Sequence, residues 1–188
     1  MIKGKLIELV PATLDERRKV YEWCFHSETS KSHSGPPDYP DIEIPAFEEF
    51  CYEDYVDYFF TGERAEAGRG FMILREGEAI GFLSYTSYHL KAHFTEFDIW
   101  IGSEANCGKG FGTEALRLLA DYMGETMGIR EIIMRPSNKN IRAVNSYKKA
   151  GFVESGKSPD YYMPVEYISQ FGEGDYGEGK TALLIKRV

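Results

Sequence analysis

The stretch NCGKGFGTEAL at residues 106–116 places glycines at 108, 110 and 112, directly ahead of a run with helical periodicity. Upstream, HFTEFDIWIG (93–102) alternates strictly. Phe97, Ile99 and Ile101 face one way and Glu96, Asp98 and Trp100 the other, which predicts a strand. Downstream, Phe111, Ala115, Leu118/Leu119 and Tyr122/Met123 form the stripe of a helix running from about Gly110 to Met127. The order is therefore strand, glycine loop, helix. The first turn of a helix presents unpaired N–H donors and the positive end of its dipole. Glycine lets the backbone approach a ligand closely and adopt positive φ. Together they predict a cradle for phosphate or pyrophosphate. The spacing excludes two nucleotide patterns. The ATP loop GxxxxGK[ST] fails because Gly112 is followed by Thr113, and GKGFGT is GxGxG without the βαβ setting of a dinucleotide site.

Working outward, KLIELVPA (5–12) reads as a short strand and TLDERRKVYEWCFH (13–26) as a helix with Thr13 as N-cap. Residues 27–41 are rich in Ser, Gly and Pro and read as loop. A second helix is expected after Pro45, with Phe47, Phe50, Tyr55 and Tyr58/Phe59 near one stripe. Residues 68–88 hold two β-rich runs joined at Glu76-Gly77, a hairpin. REIIMRP (130–136) is a strand stopped by Pro136. NIRAVNSYKKA (140–150) is a helix closed by Gly151. FVESG and TALLIKRV (181–188) are strands. With no repeat and no linker, the 188 residues are expected to form a single domain.

Composition narrows the function classes. Apolar residues make up 43%, enough for a substantial core, and no apolar run approaches a membrane span. Without a secretory signal at the start, a soluble cytoplasmic protein without membrane association is expected. Cys24, Cys51 and Cys107 are widely spaced, and His89 and His93 stand four apart in a stretch read as strand and turn. No disulfide framework and no metal site is predicted. The net charge of −8 argues against nucleic acid as a partner. That charge is concentrated: 38–57 holds eight carboxylates, 160–178 holds five, and neither has a Lys or Arg. The remainder is mildly basic. Two acidic, tyrosine-rich segments suggest a surface for cations.

CGKGFGTEAL resembles the acetyl-CoA pyrophosphate loop of the GNAT superfamily of N-acetyltransferases, Gln/Arg-x-x-Gly-x-Gly/Ala, with Gly110 and Gly112 as its glycines. Cys107 stands where Gln or Arg is usual. NIRAVNSYKKAGF matches the superfamily's N-x-x-A-x-x-x-Y-x-x-x-G-F pattern through Asn140, Ala143, Tyr147, Gly151 and Phe152. The resemblance covers 69–155, while 158–179 is not explained by the pattern. It implies an α/β fold with a mixed, mostly antiparallel central sheet flanked by helices. It also implies acetyl-CoA as cosubstrate, held by Trp100 and Ile101 on the strand, by Gly108, Lys109, Gly110, Phe111, Gly112 and Thr113 in the loop, and by Asn140, Ala143, Tyr147 and Lys149. EFDIWIGSEANCGKGFGT is similar to the corresponding region of aminoglycoside 6′-N-acetyltransferases, in which an Asp ten residues ahead of the loop serves the amine. Asp98 lies ten residues before Gly108.

Acyl transfer to an amine needs its lone pair, and holding an amine of pKa about 10.4 neutral at pH 7 costs about 4.6 kcal/mol. A carboxylate beside it lowers that barrier by accepting a proton. Asp98 and Glu96 are the candidate bases, a backbone N–H around Trp100–Ile101 the oxyanion donor, and Tyr147 the candidate acid for the departing thiolate. The resemblance places the acidic segments 27–60 and 158–179 over the acceptor, with Tyr52, Tyr55, Glu173 and Asp175 as substrate contacts. Three readings compete: transfer to a small cationic amine such as an aminoglycoside or polyamine, transfer to a protein N-terminus or lysine, and acyl-CoA binding without turnover. A monomer or homodimer is expected.

Overall fold

A computed structural model of the chain describes residues 1–30, 43–177 and 179–188. Most of the loop expected at 27–41, and so part of the first acidic segment, lies outside them. Eight strands form one sheet: β1 (Ile2–Lys3), β2 (Glu8–Pro11), β3 (Gly68–Arg75), β4 (Glu78–Thr86), β5 (Phe94–Ile101), β6 (Glu131–Met134), β7 (Val153–Glu154) and β8 (Leu184–Arg187). Their spatial order is β1-β2-β3-β4-β5-β6-β8-β7. Every neighbouring pair is antiparallel except β5 with β6. This is the mixed, mostly antiparallel α/β sheet expected from the sequence. The β3–β4 hairpin turns at Glu76 and Gly77, whose φ values of 52° and 84° are those of a tight primed turn.

Strand alternation divides the core. Phe71, Ile73, Leu83, Phe97 and Ile99 join one cluster with Ala115, Leu116, Leu119 and Met123 of α4 (Phe111–Met127). Met72, Phe82 and Trp100 face the other side. There they pack with α1 (Arg17–Phe25), α2 (Phe47–Tyr52) and α3 (Tyr58–Thr61). The helix read over 13–26 starts as a 3₁₀ turn, Leu14–Glu16, with Thr13 N–H donating to Glu16 at 2.7 Å. The single helix expected after Pro45 is two, α2 and α3. Tyr55 in the break turns inward and is 7% exposed, with Phe50 and Phe59 rings 5.4 and 5.0 Å away. Burying that ring gains more than one continuous helix through the acidic residues 53–57 would provide.

After α5 (Ile141–Lys149), Gly151 takes φ 99°, the left-handed closure its position predicts. Residues 158–179 contain α6 (Pro159–Tyr162) and α7 (Val165–Phe171), which no periodicity announced. Tyr162 and Met163 pack with Leu90 and with Ile133 of β6. No described helix is long and apolar enough to cross a membrane. Among the described residues no group of three or more His, Cys, Asp or Glu is placed to hold a metal.

Candidate active site

β5 decides where a ligand can enter. It pairs with β4 from Glu96 through Ile101, but with β6 only over Phe94–Glu96. Beyond Glu96 the two parallel strands part. The register fixes which backbone groups face that gap. Gly102 N–H bonds Ile80 O at 3.0 Å, so alternation turns the N–H groups of Trp100 and Asp98 to β4 and those of Ile99 and Ile101 to the open side. A backbone donor near Trp100–Ile101 was expected. The Ile101 N–H faces the open side, the Ile99 N–H is held by the Asp98 carboxylate, and the Trp100 N–H belongs to the ladder.

One cavity, of about 390 Å³, lies on the Ile99/Ile101 side. Its lining includes Gly108, Gly110, Phe111, Gly112 and Thr113 of the glycine loop, and Asn140, Ala143, Tyr147 and Lys149 around α5. Gly108 and Gly110 hold φ 71° and 88°, the left-handed region that favours glycine. Gly110 is the N-cap of α4, so the free N–H groups of the first turn follow it. At Gly112 an added Cβ would meet Ile99 Cδ1 at 3.5 Å, an ordinary contact, so the protein itself leaves room there. Asn140 has a local role as well: its Oδ1 caps α5 by accepting the Ala143 N–H at 3.1 Å. Thr113 and Ser146 hydroxyls meet at 3.0 Å and tie α4 to α5. Lys109 is an exposed loop residue and is not among the lining side chains.

A second cavity, of about 510 Å³, takes the other face of β5 through Glu96, Asp98 and Trp100. Both acidic segments reach it: Glu53, Asp54 and Tyr55 from the first, Asp175 and Tyr176 from the second. Two expected contacts stand elsewhere. Tyr52 is 80% exposed at the end of α2, outside the lining, because its neighbour Phe50 takes the inward position on so short a helix. Glu173 lines a separate depression with Lys157 and Asp160. Sequence reasoning missed His89 and Arg135, both in this cavity wall. The available signal was Arg135 itself, a cation directly after the apolar run Ile132–Met134.

Glu96 and Asp98 have opposite electrostatics. Burial alone would raise the Glu96 pKa. The Arg135 charge and hydrogen bonds from His89 and Arg135 overcome that and hold it at about 2. Arg135 Nε and Nη2 reach Glu96 at 2.7 and 2.9 Å, and His89 Nε2 at 2.8 Å. Asp98 is pushed well up, first by enclosure among protein atoms and then by Asp175 and Glu96, against the pull of Arg135. Its carboxylate still opens to the cavity. Water therefore moderates the rise without changing its sign. Asp175 and Asp54 are also raised, chiefly by desolvation. Tyr147, 6% exposed, joins the two cavities electrostatically: burial and then Asp98 and Tyr176 raise its pKa.

Comparison with known proteins identifies the family of the chain. Residues 7–153 match the acetyltransferase (GNAT) domain family. The chain belongs to the GNAT acetyltransferase family. Among curated GNAT relatives, the spermidine N(1)-acetyltransferase of Escherichia coli (strain K12) is 28% identical over 120 residues, 62% of this chain and 64% of that protein. The aminoglycoside N(6')-acetyltransferase type 1 of Klebsiella pneumoniae is 32% identical over 73 residues, 39% of this chain and 36% of that protein. Both alignments cover less than two thirds of the relative. Among solved structures, AAC(6')-Ib with coenzyme A and kanamycin superposes with a TM-score of 0.67 at 17% identity, covering 96% of this chain and 94% of that one. Spermidine N-acetyltransferase from Vibrio cholerae with CoA and spermine gives 0.67 at 19%, covering 98% and 96%. At these identities the likeness speaks for the GNAT fold.

Proposed function

We propose that the protein transfers an acetyl group from acetyl-CoA to an amine of a small polycation, of the aminoglycoside or polyamine class. The observation that carries this reading is the pair of cavities on opposite faces of β5. One is apolar and glycine-walled; the other is lined by carboxylates. In this reading Gly108–Thr113 and the first turn of α4 receive the pyrophosphate, and Lys149 adds attraction. The thioester carbonyl lies along the open edge of β5, where the Ile101 N–H serves the developing oxyanion, the Ile99 N–H being held by the Asp98 carboxylate. The amine approaches from the carboxylate side. Its ammonium gives one proton to solvent, the nitrogen then bonds to the carbonyl carbon as Asp98 takes a second proton, and the C–S bond breaks to release CoA as thiolate.

The raised pKa suits Asp98 to accept that proton, whereas Glu96, held at about 2, is a poor base. Tyr147 is assigned to the departing sulfur. Its raised pKa keeps it protonated, and full transfer to a thiolate of reference pKa about 8.5 is uphill. It therefore acts as a hydrogen-bond donor, and the thiolate takes its proton from solvent. Tyr55 closes the apolar wall of the acceptor side, its hydroxyl 3.0 Å from Ser84.

The test is thiol release from acetyl-CoA in the presence of kanamycin, spermidine or a short peptide with a free N-terminus. Release with either polycation supports the assignment. Release with the peptide alone transfers it to protein acetylation, and no release with any of them contradicts turnover.

A further inference from the structure

The Glu96–Arg135–His89 cluster performs no step of the acetyl transfer, yet it joins two parts of the acceptor wall. Arg135 follows the last residue of β6, and its side chain is 7% exposed. Two of its nitrogens fork onto the Glu96 carboxylate at 2.7 and 2.9 Å. The third, Nη1, donates to the carbonyl of Phe171, the last residue of α7. A guanidinium there satisfies a terminal carbonyl and complements the negative end of the helix dipole. The Phe171 ring lies 4.6 Å from the His89 ring, and Nε2 of His89 meets Glu96 at 2.8 Å. One carboxylate on β5 thus organises a cation and an imidazole that both touch the end of α7.

The C-terminal segment is stitched to the sheet at its two ends by backbone bonds. Lys91 N–H donates to Tyr162 O at 2.8 Å; Asn138 N–H to Lys180 O and Ala182 N–H to Pro136 O are each 2.8 Å. Between these ends the chain carries Gln170, Phe171, Asp175 and Tyr176 into the acceptor cavity. Arg135 supplies a hydrogen bond from the sheet to that middle portion, four residues before Asp175. Lysine would keep the charge and three donors at this place but not the rigid fork that grips both oxygens of a carboxylate.

We propose that Arg135 is a positioning residue for acceptor recognition: clamped by Glu96, it fixes the C-terminal end of α7 and thereby sets where Asp175 and Tyr176 stand in the acceptor cavity. The kinetic part rests on the acetyl-transfer reading, whereas the positional part does not. Removing Arg135 alone strands the Glu96 charge and invites unfolding. The comparison therefore uses Arg135→Lys and the paired change Glu96→Gln/Arg135→Met, which removes both charges.

Hydrogen exchange read by mass spectrometry, without any amine, reports position. Amides of residues 165–177 exchange about tenfold faster or more in both variants, while those of α4 and β5 keep their rates. Steady-state kinetics report recognition. With spermidine or kanamycin, whichever the parent acetylates faster, the amine KM rises about tenfold to a hundredfold. The fall in kcat is smaller, and the KM for acetyl-CoA stays within about twofold. Unchanged exchange at 165–177, uniform loosening of the whole chain, or full recovery of the amine KM by Arg135→Lys overturns the proposal. If the parent acetylates neither amine, that result counts against the acetyl-transfer reading, and the exchange comparison still decides the positional part.

Discussion

Glu96 and Asp98 stand two residues apart on one strand and titrate in opposite directions, so their roles separate by pH. For Asp98 as base, kcat/KM rises with pH through its raised pKa and falls as the carboxylate protonates. Asp98→Asn is expected to lower kcat by about 10²–10⁴-fold and to remove that acid limb, with acetyl-CoA affinity nearly constant. A pH–rate profile of parent and variant checks it. Because the folded pKa is raised, ionising Asp98 costs stability as pH rises, so Asp98→Asn is also expected to melt higher at neutral pH. Glu96 has the reverse sign. Its folded pKa of about 2 lies below the ordinary 4.5, so it stabilises the fold above 4.5 and loses that contribution as pH falls toward 2. The difference corresponds to about 3 kcal/mol. Denaturant midpoints between pH 5 and 2 are expected to decline steeply in the parent and less so in Glu96→Gln/Arg135→Met.

At the scale of elements, the glycine loop makes a separable prediction. Gly110 holds φ 88°, so a side chain there strains the backbone by about 1 kcal/mol or more. Gly112 is a regular residue of the first turn of α4, and its Cβ would meet Ile99 only at 3.5 Å. Gly112→Ala is therefore expected to leave the apoprotein as stable or up to about 1 kcal/mol more stable. It is also expected to weaken acetyl-CoA binding, because the methyl group occupies the cradle. Thermal melting and calorimetric titration separate the two effects. Equal acetyl-CoA affinity in parent and variant counts against the cradle. Elements of this kind were legible in the sequence because period, turn residues and glycines act locally: the hairpin at Glu76-Gly77, the alternation of β5, the stripe of α4 and the closure at Gly151. The break between α2 and α3 was not, since burial of Tyr55 against Phe50, Phe59 and Trp100 decides it. Arg135 and His89 were illegible as partners of Glu96 for a similar reason. Their meeting depends on β5 and β6 pairing in parallel and then parting, a contact between residues 39 apart for Arg135. Within the segments that the resemblance sets over the acceptor, Tyr52 and Glu173 stand out only by aromatic content and charge, which do not fix the direction of a side chain on a short helix or turn.

At the scale of the whole molecule, the excess of negative charge is gathered in two segments, and both contribute carboxylates to the cavity beside Asp98. Such a field raises the local concentration of a polycation and weakens with salt, as the Debye length falls from about 10 Å at 0.1 M to about 3 Å at 1 M. The KM of a polycationic substrate is expected to rise with salt in the parent and less in Asp54→Asn/Asp175→Asn, since both carboxylates line the cavity. Equal salt dependence in the two proteins makes the acidic segments a solvated surface only. The most direct test of acetyl transfer to a cationic amine is mass spectrometry of kanamycin and spermidine after incubation with acetyl-CoA and the purified protein, in parallel with Asp98→Asn. The account predicts that at least one amine gains a single acetyl group with the parent and that its yield collapses with Asp98→Asn. Amines left unmodified by the parent, or modified equally by Asp98→Asn, would contradict it.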